Sequence, residues 1–266
     1  MHRAVLSEEQ QFTAFSATAG AMLANVITFE LFKEITGVTE SEPRNLFYLL
    51  DLETLEGNWH SFLPHPLVDG RVYSEWVTDL DVRLERNESK DEPNGLLLYF
   101  SQLTSDVSGV FHIWEEGDLK QLPLAQCRVQ AVDMLSKGPA DLLPDIVCAD
   151  LTHEEARRKA GLAGIESYVS QAVELLVATL PSSQENGENG VEKKEFIGVG
   201  AGETVAEGIC RGLQKCLDKE LSMQLINKKI HVTPLQVDTV EDEHCRFYLE
   251  ALTTMHGAPA IGLGRK

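Results

Sequence analysis

Residues 195–221, EFIGVGAGETVAEGICRGLQKCLDKEL, run from a short apolar strand pattern through a glycine turn into a helix with spaced acids. A related pattern fills residues 150–166, DLTHEEARRKAGLAGIE. Aligned at Thr152 and Thr204, the two stretches match Glu155 with Glu207, Ala156 with Gly208, Ala160 with Gly212 and Glu166 with Asp218. Small residues four apart make a smooth helix face that packs closely on a sheet or a sister helix. The expected fold is therefore α+β, built from repeated strand-turn-helix units packed on mixed sheets.

Composition narrows the possible partners. The 266 residues carry a formal charge of −19 and include 43% hydrophobic residues, enough for a packed core and unfavourable for contact with phosphate backbones or anionic lipid. No basic cluster offsets this, so nucleic acid is not an expected partner. Cys127, Cys148, Cys210, Cys216 and Cys245 are odd in number and scattered, which argues against a disulfide framework and a thiolate zinc site and fits a cytoplasmic protein. Residues 10–29 form an uncharged run long enough to span a bilayer. Its polar interruptions and its flanks of Glu8, Glu9 and Glu30 instead favour a buried helix, without membrane association.

That helix is expected over residues 7–36, with Ser7 as cap and Gly37 as stop, and its mixture of large apolar and small residues predicts cover on most sides. Residues 45–52 and 59–63 read as paired strands, and His65, held between two prolines, reads as structural. The polar stretch 86–95 marks a boundary, giving segments 1–85 and 95–266. Beyond it, residues 96–103 and 109–115 read as a hairpin and 124–134 as a strand. The first repeated unit is then a strand at 146–149 and a helix at 153–179, capped by Asp150 or Thr152, with Ala156, Ala160, Ala163, Ile165, Val169, Val173 and Leu176 inward. After the second unit come a strand at 229–238, a helix at 240–255 and a strand at 258–263. That last strand meets the C-terminus without a covering element, which leads us to expect a longer native polypeptide.

As chemistry, Gly198, Gly200 and Gly202 before a helix start could present N–H groups to phosphate. A dinucleotide fingerprint would require glycine at Glu203, and a Walker loop would require Lys followed by Ser or Thr. Glu203 and Glu207 surround the turn with negative charge, which suits a triphosphate only if magnesium intervenes. His153 to Arg157 (HEEAR) lacks the second His of a zincin helix, and no nucleophile elbow is present.

Four stretches, in order, resemble the opening part of a YcaO domain: DVSGVFHIW (106–114), LPLAQCRVQAV (122–132), LTHEEARRKAGLAGIESYVS (151–170) and GVGAGETVAEGICRGLQKCLDKEL (198–221). Upstream, FELFKEITG (29–37) resembles the last helix of a ThiF-like domain, and FLPHP (62–66) resembles the motif that follows it. A ThiF-like terminal helix and small β region joined to a YcaO-like N-terminal portion is similar to the thiazole-containing bacteriocin maturation proteins. That resemblance implies a role in azoline formation, where YcaO enzymes activate backbone amides with Mg-ATP. It would place Glu155, Glu166, Glu203, Glu207 and Asp218 at the Mg-ATP site.

The departures from the family pattern set the expected mechanism. YcaO helices resemble ExxER, whereas the first helix here has Ala163, Glu166 and Ser167, and the second has Lys215, Asp218 and Lys219. Losing one carboxylate from each helix, with a cation in the place of the second, leaves a vestigial site without catalytic or metal-ligating residues. The expected function is an accessory or scaffolding component that binds precursor peptide or a separate YcaO-type cyclodehydratase. Two alternatives stay open: a Mg-ATP-binding cyclodehydratase, and a ligand-free structural homodimer.

Overall fold

Residues 125–131 alternate buried and half-buried along their length, with Ala125, Cys127, Val129 and Ala131 inward, so this strand presents one apolar face to a core. In the computed structural model it is the middle of a three-stranded sheet. The residues described are 15–38, 45–65, 76–85, 95–137, 140–178, 196–227, 231–235 and 240–265. The elements are α1 (Ala17–Thr36), β1 (Leu46–Leu50), β2 (Gly57–Ser61), α2 (Leu80–Glu85), α3 (Gly95–Leu103), β3 (Phe111–Glu115), β4 (Ala125–Ala131) and β5 (Ile146–Asp150). They continue with α4 (His153–Ser170), α5 (Val173–Ala178), α6 (Val205–Ile226), β6 (His231–Pro234), α7 (Glu243–His256) and β7 (Gly262–Arg265).

The chain is α+β, but among the described residues every strand ladder is antiparallel where mixed sheets were expected. The central sheet has the order β3-β4-β5, and β1-β2 and β6-β7 are separate hairpins. Helix α4 lies across the central sheet, and α3 packs on α4 from the side. Phe100 makes the second contact possible: it is 1% exposed, and a Cβ on Gly161 would sit 2.2 Å from its ring. Gly164 likewise lets α4 approach Phe111 and Val129 on the sheet. Burying a side chain such as Phe100 or Phe111 contributes about 1.5–3 kcal/mol, so this contact anchors the fold. Trp114 adds a polar fixing point, its Nε1–H donating to the Arg157 carbonyl (3.0 Å) under the Arg157 guanidinium (4.3 Å).

Several elements depart from expectation. Residues 96–103 are helix where a strand was expected. Leu96, Phe100 and Leu103 share one face at helical spacing, and a short apolar run is compatible with either period. The helix expected to run to 179 stops at Ser170 and resumes as α5, with no Gly or Pro at the break. Its inward set includes Ala156 and Ala160, as expected, and also Gly161, Leu162, Gly164 and Tyr168. Helix α1 is capped by Ser16 and ends at left-handed Gly37, and the expected Ser7 cap lies outside the described residues. Its outer face is open rather than covered, with Ile27, Phe29, Leu31, Phe32 and Ile35 all more than half exposed. Cys127 and Cys148, scattered in sequence, stand opposite each other on β4 and β5 as free thiols.

The β1-β2 hairpin forms as expected, with Tyr48 and Trp59 edge to face across it. Two contacts tie it to the central body: Ser108 Oγ donates to the Ser61 carbonyl (2.7 Å), and His65 Nε2 donates to the Met134 carbonyl (2.9 Å). The bond from His65 thus joins the segment after β2 to the loop that follows β4. No helix among the described residues is long and apolar enough to cross a membrane.

Candidate functional site

Both repeated units begin with the same local chemistry. Thr152 accepts from the Glu155 N–H (3.2 Å) and Thr204 from the Glu207 N–H (3.1 Å), with backbone angles of −123°/154° and −119°/156°. Thr152, not Asp150, is therefore the cap of α4. Asp150 instead accepts from the Leu151 N–H (2.6 Å) and the Tyr248 hydroxyl (2.7 Å) and pairs with Lys159, which ties α7 to the start of α4.

The stretch expected as a strand before α6 pairs with no strand among the described residues. Gly198 points at the Gly212 carbonyl and Gly200 at the Gly208 carbonyl, where added Cβ atoms would fall 2.2 and 2.0 Å from those oxygens. Two residues of segment cover four residues of helix. Four helical rises of about 1.5 Å match two extended rises of about 3.3 Å, so residues 198–200 are extended and run antiparallel to α6, whereas Gly202 lies against Glu207 and Gly208 at the start of the helix. The glycines therefore serve close backbone packing rather than a phosphate cradle. Ala201 faces the other way, onto the core.

The central feature is Glu166 on α4. It is 2% exposed, yet its Oε1 accepts from Arg211 Nε (2.6 Å) and the Ala201 N–H (3.0 Å), and its Oε2 pairs with Lys215 Nζ (2.6 Å). Burial pushes this carboxyl up, but Arg211, the Ala201 amide and Lys215 outweigh that and hold it below the usual range. Arg211 is in turn raised, chiefly by its bond to Glu166. One end further along, Arg158 donates to Glu203 Oε1 (2.7 Å) and to both oxygens of Glu207 (2.8 and 2.7 Å). Arg158 pairs with the start of α6, and Glu166, eight residues later, pairs with Arg211 and Lys215 further along it, so the two helices run parallel.

The five expected site acids thus do not converge. Glu203 and Glu207 share Arg158, Glu166 is enclosed by Arg211 and Lys215, and Glu155 and Asp218 are exposed. Among the described residues no three His, Cys, Asp or Glu side chains are placed to hold a metal ion. As arranged, Glu166 does not fit magnesium: both of its oxygens are committed to cations of the chain itself. Sequence reasoning missed Arg158 and Arg211. For Arg211 the signal was its spacing with Glu207 and Lys215 at every fourth residue, which makes one charged stripe on α6.

Beside this cluster lies an open groove of about 770 Å³, lined by the 198–204 segment, by Val205, Ile209 and Leu213 of α6 and by Ile165 of α4. Its walls are mostly apolar, with Glu203, Thr204 and Cys216 as the polar or thiol side chains in its lining. No protein-family model, curated protein or solved structure matches the chain.

Proposed function

We propose that the chain is a non-catalytic, cytoplasmic accessory component of azoline heterocycle formation in ribosomal peptide or bacteriocin maturation. In that role it holds precursor peptide, or a separate YcaO-type cyclodehydratase, without turning over ATP. One observation carries the reading. The acid best placed for a magnesium-nucleotide site, Glu166, is buried and neutralised by Arg211 and Lys215, the latter standing where the family pattern has a carboxylate. An internal ion pair of this kind substitutes for a ligand and disfavours an incoming one, because admitting metal would leave two cations beside it.

Calorimetric titration with Mg-ATP tests the proposal. No saturable heat is expected up to millimolar nucleotide. Micromolar binding that disappears in both Glu166→Gln and Asp218→Asn would overturn the pseudoenzyme reading. Scaffolding is checked by co-elution with the cognate cyclodehydratase or precursor peptide, and separate elution of all three counts against it.

A further inference from the structure

Cys127 of β4 and Cys148 of β5 are direct partners in the antiparallel ladder, and both are free thiols. The ladder around them is regular, running without a shift from Ala125 and Asp150 to Val129 and Ile146. Residues directly opposite in such a ladder project to the same face of the sheet. Here that face is the core: Cys127 is 0% exposed among Ala125, Val129 and Ala131, and Cys148 packs against the same cluster. Opposed Cα atoms stand about 4.5 or 5.5 Å apart, according to their place in the hydrogen-bond pattern. Both values lie inside the range of roughly 4.4–6.8 Å that a disulfide spans. Backbone register therefore holds the two cysteines at bridging distance, whereas Cys210 and Cys216 lie on α6 and Cys245 on α7.

We propose that Cys127 and Cys148 are a redox-modification site, closing to a reversible disulfide when the protein meets a hydroperoxide and so stapling the edge strand β5 to the middle of the sheet. The inference goes beyond the scaffold role and does not depend on it. Cys148 is the point of entry, because it is half-buried whereas Cys127 is enclosed. Burial raises both thiols, Cys127 to about 11, but at Cys148 it is opposed by Arg211 and Lys159, which favour the reactive thiolate. The Cys148 thiolate attacks one peroxide oxygen and breaks the O–O bond, giving a sulfenic acid and hydroxide, and the hydroxide takes up the proton that Cys148 released. The Cys127 sulfur then attacks the Cys148 sulfur. The S–S bond forms, the S–O bond breaks, and the hydroxyl leaves with the Cys127 proton as water. The two thiols have lost two electrons and two protons, and hydrogen peroxide has become two waters. A small thiol reverses the bridge by exchange, so a reducing compartment keeps the pair open. Asp150 ends β5 and Thr152 caps α4, so the staple also secures the start of that helix.

The test treats the full chain in native buffer with millimolar hydrogen peroxide, blocks remaining thiols by alkylation and maps the peptides by mass spectrometry without reduction. A cross-linked peptide joining Cys127 to Cys148 within one chain, lighter than its two parts by two hydrogens, is expected. Closing a loop of the unfolded chain in this way should raise Tm by at least about 5 °C, and dithiothreitol should return both mass and Tm to their starting values. Cys148→Ala, at a half-buried position that tolerates a smaller side chain, should show neither the cross-link nor the rise. Exposed Cys210 serves as an internal gauge of oxidant delivered. Cys127 and Cys148 both still thiols after a day in which Cys210 is fully oxidised overturns the proposal. So does sulfinic acid on Cys148 beside an unmodified Cys127, a bridge that joins two copies of the chain, or a cross-link that forms only in urea. A bridge that leaves Tm unchanged removes the staple. None of these outcomes bears on Mg-ATP or peptide binding, so the scaffold reading stands or falls on its own tests.

Discussion

Helices α4 and α6 start alike and end in different surroundings. Each has a Thr cap with nearly the same backbone angles and a Glu at the third position. Seven residues of α4 are buried, including Ala156, Gly161, Gly164 and Glu166, whereas on α6 only Gly212 is. Leu213, Leu217, Leu221 and Leu225 instead stand 45–68% exposed along α6. The same local grammar thus sets where a helix begins without deciding what it packs on. Helix α4 meets the apolar face of a sheet, whereas α6 meets a glycine strand and is tied to α4 by ion pairs.

The contrast makes its largest prediction at Gly161. A Val there would drive branched carbon into the Phe100 ring, which lies 2.2 Å from the position of a Cβ and is enclosed on all sides. Overpacking of this kind costs about 3 kcal/mol, and urea unfolding of Gly161→Val should show it as a lower midpoint with an unchanged slope. A loss under about 0.5 kcal/mol would mean that α4 is not the rigid member of the pair.

A smaller effect is expected where the two helices are joined. Removing the Glu166 charge leaves Arg211 and Lys215 without their partner. Full burial would make that cost about 3–5 kcal/mol. The two cations are 26% and 40% exposed and can turn to solvent, so Glu166→Gln should cost about 2 kcal/mol at neutral pH. The pH dependence follows from the depressed carboxyl. Unfolded Glu titrates near about 4.3, so the stabilisation is fully present above that value and disappears as pH falls through the lower folded value. Wild type and Glu166→Gln should therefore draw together in stability as pH falls below the ordinary Glu range, as read by thermal melts across pH. Parallel curves would locate the coupling between α4 and α6 elsewhere.

These outcomes also measure how much of the molecule was legible in the sequence. Gly37 as a stop and the β1-β2 hairpin follow from contacts a few residues long, and Thr152 was one of two candidate caps, whereas the cap and start of α1 at Ser16 were not foreseen. Residues 96–103 were ambiguous because a short apolar run fits two periods, and only the pocket made by Gly161 for Phe100 decides between them. The acids of the candidate site were visible, but their state was not. Whether Glu166 faces a metal or an arginine depends on a partner 45 residues away, and the meeting of Cys127 with Cys148 depends on strand register. Long-range pairing of this kind leaves little trace in one sequence beyond the four-residue charge stripe on α6.

The smallest effect probes how firmly the glycine strand is held, and its expected sign is the reverse of the first. A Cβ on Gly208 would lie 3.3 Å from the Gly200 carbonyl oxygen, tighter than ordinary contact by a few tenths of an ångström. Whether that matters depends on whether residues 198–202 can yield. A strand locked into a sheet would resist through its ladder of hydrogen bonds, whereas among the described residues Gly200 makes none and Ala201 and Glu203 are the fastened positions. Replacing a helical glycine by alanine stabilises the helix by up to about 1 kcal/mol, and a small shift of a loosely held strand removes only part of that. Gly208→Ala should therefore stabilise the protein by about 0.5 kcal/mol, seen as a raised urea midpoint. Destabilisation beyond about 1 kcal/mol would show the strand to be as unyielding as the central sheet, and the distinction between a rooted α4 and a strapped-on α6 would fail at its most sensitive point.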